Sequence, residues 1–170
     1  MTPSLLIDRT GEPVYVVSMS SLDPPYISPD GKHVLFGATE GHAAGGRLTN
    51  RLYTFDLNSE RRAANPRVME LDHVDDYDGQ PSFSRDGSRV AFIGRGGTRE
   101  GLFDYDVFNA TAEGRACQQV THDHALDSAP VFSANGDSIY YFLDRDRTGE
   151  RELWRVKTGG HGGPVRLFPK

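Results

Sequence analysis

Two stretches gather side chains able to do chemistry at short spacing: LDHVDDYDGQP, Leu71 to Pro81, and THDHALDSAP, Thr121 to Pro130. The first supplies His73, Asp75, Asp76 and Asp78, and the second His122, Asp123, His124 and Asp127. Carboxylates together with loop carbonyls form the oxygen-rich set that suits Ca²⁺ or another hard cation, with Asp78 and Asp127 as the candidate metal ligands. His73, His122 and His124 would instead suit a transition metal, but none of their spacings is diagnostic of one. A plainer role is also open. Asp78 and Asp127 each stand three residues before a proline, and Asp23 two before Pro25. That recurrence favours aspartates that cap turns by accepting hydrogen bonds from backbone amides. His73, Asp75, Asp76, His122, Asp123 and His124 are then candidate contacts for a binding partner, followed by the Gly-rich connection from Gly37 to Asn50, GATEGHAAGGRLTN.

Other chemistries lack their signatures. There is no Gly-x-Ser-x-Gly nucleophile elbow, no His-Glu-x-x-His helix and no Gly-x-x-x-x-Gly-Lys-Ser/Thr phosphate loop. The clusters Gly94-Arg95-Gly96-Gly97 and Gly159-Gly160-His161-Gly162-Gly163 have no helical pattern after them and read as flexible connections. Cys117 is the only cysteine, which excludes an intrachain disulfide framework, and it reads as a small strand residue. Asn109-Ala110-Thr111 matches a glycosylation acceptor, a pattern that matters only in a secreted eukaryotic protein. The formal charge of −5 provides no general basic field, so nucleic acid is not an expected partner. No run approaches the roughly 18 apolar residues of a membrane span. The opening MTPSLLIDRTGEP lacks the basic start and apolar core of a secretory signal.

The elements that must position these loops are written as a repeat. Pro25-Tyr26-Ile27-Ser28-Pro29-Asp30-Gly31 returns as Pro81-Ser82-Phe83-Ser84-Arg85-Asp86-Gly87 and as Pro130-Val131-Phe132-Ser133-Ala134-Asn135-Gly136. Ser28, Ser84 and Ser133 stand 56 and 49 residues apart, about the length of one propeller blade. Each copy runs into a strand of alternating apolar residues: Val34 and Phe36, Val90 and Phe92, Ile139 and Tyr141. The Asp-Gly or Asn-Gly pair between the runs predicts a tight hairpin with positive backbone angles. Third strands are predicted at Leu52 to Leu57, Leu102 to Val107 and Leu153 to Val156. Fourth strands follow at Arg67 to Leu71, Ala116 to Thr121 and Pro164 to Phe168. Tyr53, Phe103 and Trp154 then form an aromatic stripe that packs blade against blade. With 19 Gly, 10 Pro and 17 aromatics (nine Phe, seven Tyr, one Trp) in 170 residues, the composition suits short strands and many turns.

These repeats resemble the WD-like units of the TolB-like β-propeller family, approximately Asp-x-x-Pro-x-Phe/Trp-Ser-Pro-Asp-Gly-x-x-Ile-x-Phe. Units of the same type build the propeller domains of the tricorn and prolyl oligopeptidase families. The resemblance runs from Asp23 to Phe168, with one faithful Ser-Pro-Asp-Gly and two relaxed copies. It implies an all-β fold, a partial β-propeller of about three and a half four-stranded antiparallel blades in a single repeat domain. The expected division is a half blade of two strands over 1–22 and blades over 23–77, 78–126 and 127–170, with the loops before the innermost strands gathered near a central channel. So short an arc is expected to be incomplete: a fragment of a longer propeller, half of a ring closed by a second copy, or an open arc. The function it implies is binding of a protein or peptide without catalysis, in a periplasmic or other extracytoplasmic setting if a precursor carries a signal. The alternative is the propeller portion of an enzyme, either the gating domain of a prolyl oligopeptidase-like serine peptidase or a metal-dependent propeller lyase or hydrolase.

Overall fold

The computed structural model describes residues 4–7, 13–18, 25–42, 49–57, 63–71, 74, 76–96 and 105–168. Among them the chain is all-β. Its strands are β1 (Ser4–Ile7), β2 (Pro13–Ser18), β3 (Tyr26–Ile27), β4 (His33–His42), β5 (Thr49–Leu57), β6 (Ala63–Val68) and β7 (Asp76–Phe83). They continue as β8 (Arg89–Arg95), β9 (Asp106–Thr111), β10 (Gln118–Gln119), β11 (Leu126–Phe132), β12 (Ser138–Asp144), β13 (Glu152–Lys157) and β14 (Val165–Arg166). Three antiparallel sheets result, ordered β1-β2-β4-β5-β6 with β3 also on β4, then β10-β9-β8-β7, then β11-β12-β13-β14. Sequential sheets of four strands, each meandering outward from an inner strand, are the blades of a partial β-propeller. The first sheet differs. β2 pairs with the far half of β4, at Thr39 to His42, while β3 pairs with the near half, at Val34 and Leu35. The two N-terminal strands therefore join the first blade's own sheet.

The Ser-x-Asp-Gly corner is built by side chains. Gly31 N–H donates to the Ser28 carbonyl at 2.9 Å, which removes that carbonyl from the ladder. The Ser28 hydroxyl replaces it: Oγ accepts from His33 N–H at 2.9 Å and donates to Asp30 Oδ1 at 2.6 Å. Asp30 Oδ1 also accepts from Lys32 N–H at 3.0 Å. The same bonds recur around Ser84 and Asp86 and around Ser133 and Asn135. Only the glycines need a positive φ, 70° at Gly31, 72° at Gly87 and 75° at Gly136. The corner is thus a four-residue loop and not the predicted two-residue turn, and its Asp or Asn acts through the side chain.

Alternating residues of each blade face two different neighbours. Val90 and Phe92 of β8 join Leu35, Leu52, Met69, Tyr77 and Phe108 in the core between the first and second blades. Ala91 and Ile93 join Val107, Ile139, Tyr141, Leu143 and Val156 in the core between the second and third. β8 is accordingly buried on both faces, which explains its unbroken apolar run Val-Ala-Phe-Ile. At Gly37 a Cβ would lie 2.6 Å from Tyr77 Cε1, so only glycine lets the first two blades approach this closely.

The predicted third strand of the middle blade shifts. β9 begins at Asp106, and Phe108 pairs with Phe92 as Tyr53 pairs with Phe36 and Trp154 with Tyr141. The stripe is therefore Tyr53, Phe108 and Trp154, with Phe92 and Phe108 stacked at 5.7 Å and Phe36 and Tyr53 at 5.2 Å. Phe103 lies outside the described residues. The predicted Gly37 to Asn50 loop is largely ladder: β4 runs on through His42 and β5 starts at Thr49, which leaves 43–48 outside the described residues. Asn109 is fully buried and donates from Nδ2 to the Thr158 carbonyl at 2.8 Å, so the acceptor-like triplet lies inside a blade junction.

Candidate functional site

The connection from β10 to β11 carries half of the sequence-predicted site on a well-anchored base. Asp123 Oδ1 accepts from Ala125 N–H at 3.0 Å, a local turn that sends Ala125 into the core while His122 and His124 stay exposed. Below the turn, Thr121 Oγ1 accepts from Val107 N–H at 2.8 Å and donates to Asp127 Oδ2 at 2.5 Å. The same hydroxyl is 3.3 Å from Asp106 Oδ1, and Gln119 Nε2 donates to Asp106 Oδ2 at 2.7 Å. Two carboxyl groups thus share the surroundings of one hydroxyl inside the junction of the second and third blades.

Asp127 is the perturbed member. Burial pushes its carboxyl up to about 8, the Thr121 hydroxyl opposes this, and the negative charges of Asp123 and Asp106 reinforce it. At neutral pH it is mainly a neutral acid. Its Oδ1 and the Tyr141 hydroxyl are buried with no hydrogen-bond partner among the described residues. Burial, and then the charge of Asp127, also push the Tyr141 hydroxyl up. The turn-capping expectation changes accordingly. Asp127 bonds the Thr121 hydroxyl and the Val107 amide of the neighbouring blade, while capping of a local turn falls to Asp123.

The equivalence of Asp78 with Asp127 does not survive folding. Asp127 pairs in register with Leu143, whereas the β7 ladder skips Asp78 between Tyr77 and Gly79. A bulge turns its residue away from the pleat, and Asp78 is exposed where Asp127 is buried. The two inner strands are nevertheless tied together. Ala129 N–H donates to the Gln80 side-chain oxygen, and the Ser82 hydroxyl donates to the Pro130 carbonyl at 2.7 Å. Gln80 and Ala129, each just before a proline, have φ of 57° and 51°, a conformation that side-chain-bearing residues rarely adopt. His73 and Asp75 lie outside the described residues, as does the side chain of Asp76 at the start of β7. Among the described residues no group of three or more His, Cys, Asp or Glu side chains is arranged to hold a metal ion.

Sequence reading missed two features. The buried set of Asp106, Thr121 and Tyr141 was overlooked; its available signal was a tyrosine at the position held by Phe36 and Phe92 in the other blades. The second is an open cavity of about 520 Å³ at the β12–β13 hairpin, with Phe142, Leu153 and Phe168 among charged neighbours. No pattern in the repeat marks it, because it lies at the end of the array.

No protein-family model matches the chain. No curated protein matches it either. Solved structures do. TolB from Acinetobacter baumannii is 23% identical, with a TM-score of 0.58, over 98% of this chain and 37% of TolB. The fold is that of a TolB-like β-propeller. A Mycobacterium tuberculosis puromycin-hydrolyzing peptidase is similar at 21% identity and a TM-score of 0.61, over 86% of this chain and 23% of the peptidase. The β-propeller domain of the Trilobed protease from Pyrococcus furiosus, described as an open velcro topology, is 12% identical with a TM-score of 0.58, over 85% and 42% of the two chains. The TolB-like chain spans less than half the length of each of these proteins. At such identities the likeness is one of fold.

Proposed function

We propose that this TolB-like propeller is a non-enzymatic binding module that takes a protein or peptide on the loop before its third blade. The observation that carries the reading is the pairing of exposed His122 and His124 with a buried, hydrogen-bonded base of Thr121, Asp123 and Asp127. Such a loop presents side chains for contact while losing little conformational entropy on binding. Asp78 and Gln80, exposed on the adjacent inner strand, extend the same surface. A cation held near Asp127 is a further part of this reading, since a buried carboxyl oxygen without a partner is a ready ligand atom.

The test is selection of peptides on the immobilised chain, followed by calorimetric titration of a selected peptide. Double substitution of His122 and His124 by Ala should weaken binding about tenfold or more with an unchanged melting temperature. Equal affinity in the double variant would refute the assignment. Calorimetric titration with Ca²⁺ should show binding that Asp127→Asn abolishes.

The peptidase neighbours favour one second reading, in which the chain is the propeller portion of a serine peptidase and gates substrate to a catalytic domain. Its test is the genomic reading frame, where a hydrolase domain following the propeller would support it.

A further inference from the structure

The two junctions inside the chain define what a third must look like. Aligning Ser28, Ser84 and Ser133 gives every blade a leading face and a trailing face. The trailing face of the first blade, with Leu35 and Leu52, is covered by Val90, Phe92 and Phe108 of the second. The trailing face of the second, with Ala91, Ile93 and Val107, is covered by Ile139, Tyr141 and Val156 of the third. At the two ends of the array the same positions lie open. Phe83 and Phe132 pack into these cores, but Ile27, at their position on the first leading face, is 61% exposed. Tyr26 packs into the first core, but Val131, at its position on the last trailing face, is 50% exposed.

The open trailing face is continuous. Val131 pairs with Tyr140, Tyr140 with Arg155, and Arg155 with Val165, so one row crosses all four strands. Phe142, two residues along β12, is 38% exposed and Val165 47%. Arg155 holds the position of Asn109, whose amide donates to a carbonyl of the next blade, so a donor is kept where the junction uses one. We infer that the two end faces are halves of a third junction made between copies of this chain, the trailing face around Val131, Phe142 and Val165 of one copy packing head to tail on the leading face around Ile27 of another.

Continuity with two existing junctions selects another blade of this repeat as the occupant. The charges beside Phe142 agree with that choice. The cavity there carries Arg145, Arg151 and Arg166 against Asp146, Glu150 and Glu152, so it presents no net field to a polyanion or an anionic membrane. The contact is heterologous, and two copies use both faces of each when the rotation closes. It does not depend on what the His122–His124 loop binds.

Light scattering and analytical ultracentrifugation across a wide concentration range provide the test. The wild-type chain should self-associate into a defined dimer. Ile27→Lys and Val131→Lys each alter an exposed residue, and each alone should be a folded monomer, with circular dichroism and melting temperature unchanged. Mixing the two should restore a heterodimer, because each supplies the face that the other has lost. A wild-type chain that stays monomeric, an Ile27→Lys variant that still dimerises alone, or a mixture that stays monomeric would each overturn the inference. If Val131→Lys fails to fold, Val165→Lys replaces it in the same design.

Discussion

Replacing Asp127 by Asn should make the protein less sensitive to pH, with a magnitude that follows from where the carboxyl sits. An aspartate in the unfolded chain titrates near 3.9, and burial raises Asp127 to about 8 in the fold. The folded state therefore holds a proton that the unfolded state releases. Its stabilising contribution is complete below about pH 4, falls as pH rises towards 8, and is gone above that. A single group of this kind changes stability by about 1.4 kcal/mol per pH unit, or roughly 2.7 kcal/mol between pH 5 and pH 7. Asn keeps the shape, can still accept from the Thr121 hydroxyl, and places its amide where Oδ1 lacks a partner. Urea unfolding of wild type and Asp127→Asn at pH 5, 6 and 7 reads the effect. The stability difference, variant minus wild type, should rise in favour of the variant by roughly 2.7 kcal/mol over those two units. Fixed costs of the amide cancel in that comparison. If the difference changes by less than about 0.5 kcal/mol, Asp127 is ionised in the fold and the reasoning fails.

Three smaller perturbations probe the scaffold. Gly37→Ala drives a methyl against the buried Tyr77 ring and should cost about 1 to 3 kcal/mol, seen as a lower melting temperature; an unchanged midpoint would refute the close approach. Ser84→Ala removes both the acceptor for Arg89 N–H and the donor to Asp86, and should cost about 1 to 2 kcal/mol in urea unfolding. The Asp86 carboxyl, held at about 2 chiefly by that serine, should then move up towards its ordinary range in an NMR titration, and no movement would count against the corner geometry. Ala129→Gly relieves a positive φ and should stabilise by about 1 kcal/mol, with a loss of stability as the contrary result.

The blades were legible because the repeat writes each constraint three times. Ser28, Ser84 and Ser133 all mark the same corner, and the apolar alternation after each marks the same strand. Register was less legible in the middle blade. Leu102 to Val107 and Asp106 to Thr111 both offer an aromatic at a suitable spacing, and only pairing with Phe92 selects Phe108. Burial of the two aspartates was not legible at all. Asp78 and Asp127 have the same relation to a following proline, and their difference arises from a ladder bulge that is a property of paired strands. The candidate loop around His122 was visible as a polar cluster. Its anchoring by Thr121 was hidden, because Thr121 finds its partners in β9 of the neighbouring blade.

The junctions also explain why polar residues stand among the apolar ones. Apolar faces alone hold two sheets together without fixing how far one slides over the other, since hydrophobic contact has no direction. At the second junction, Asn109 donates to the Thr158 carbonyl at 2.8 Å, receives the Arg89 guanidinium, and is helped by Gln118, which donates to the Gly159 carbonyl at 3.0 Å. Each bond ends on backbone of a particular strand, so sliding would leave a wholly buried amide unpaired at a cost of about 1 to 3 kcal/mol. The Thr121 bond to Asp127 adds a second fixed point nearer the inner strands. With both points set, the His122–His124 loop inherits its position from the junction beneath it. A change in blade angle at Asn109 would therefore move the candidate binding surface without touching any residue in it.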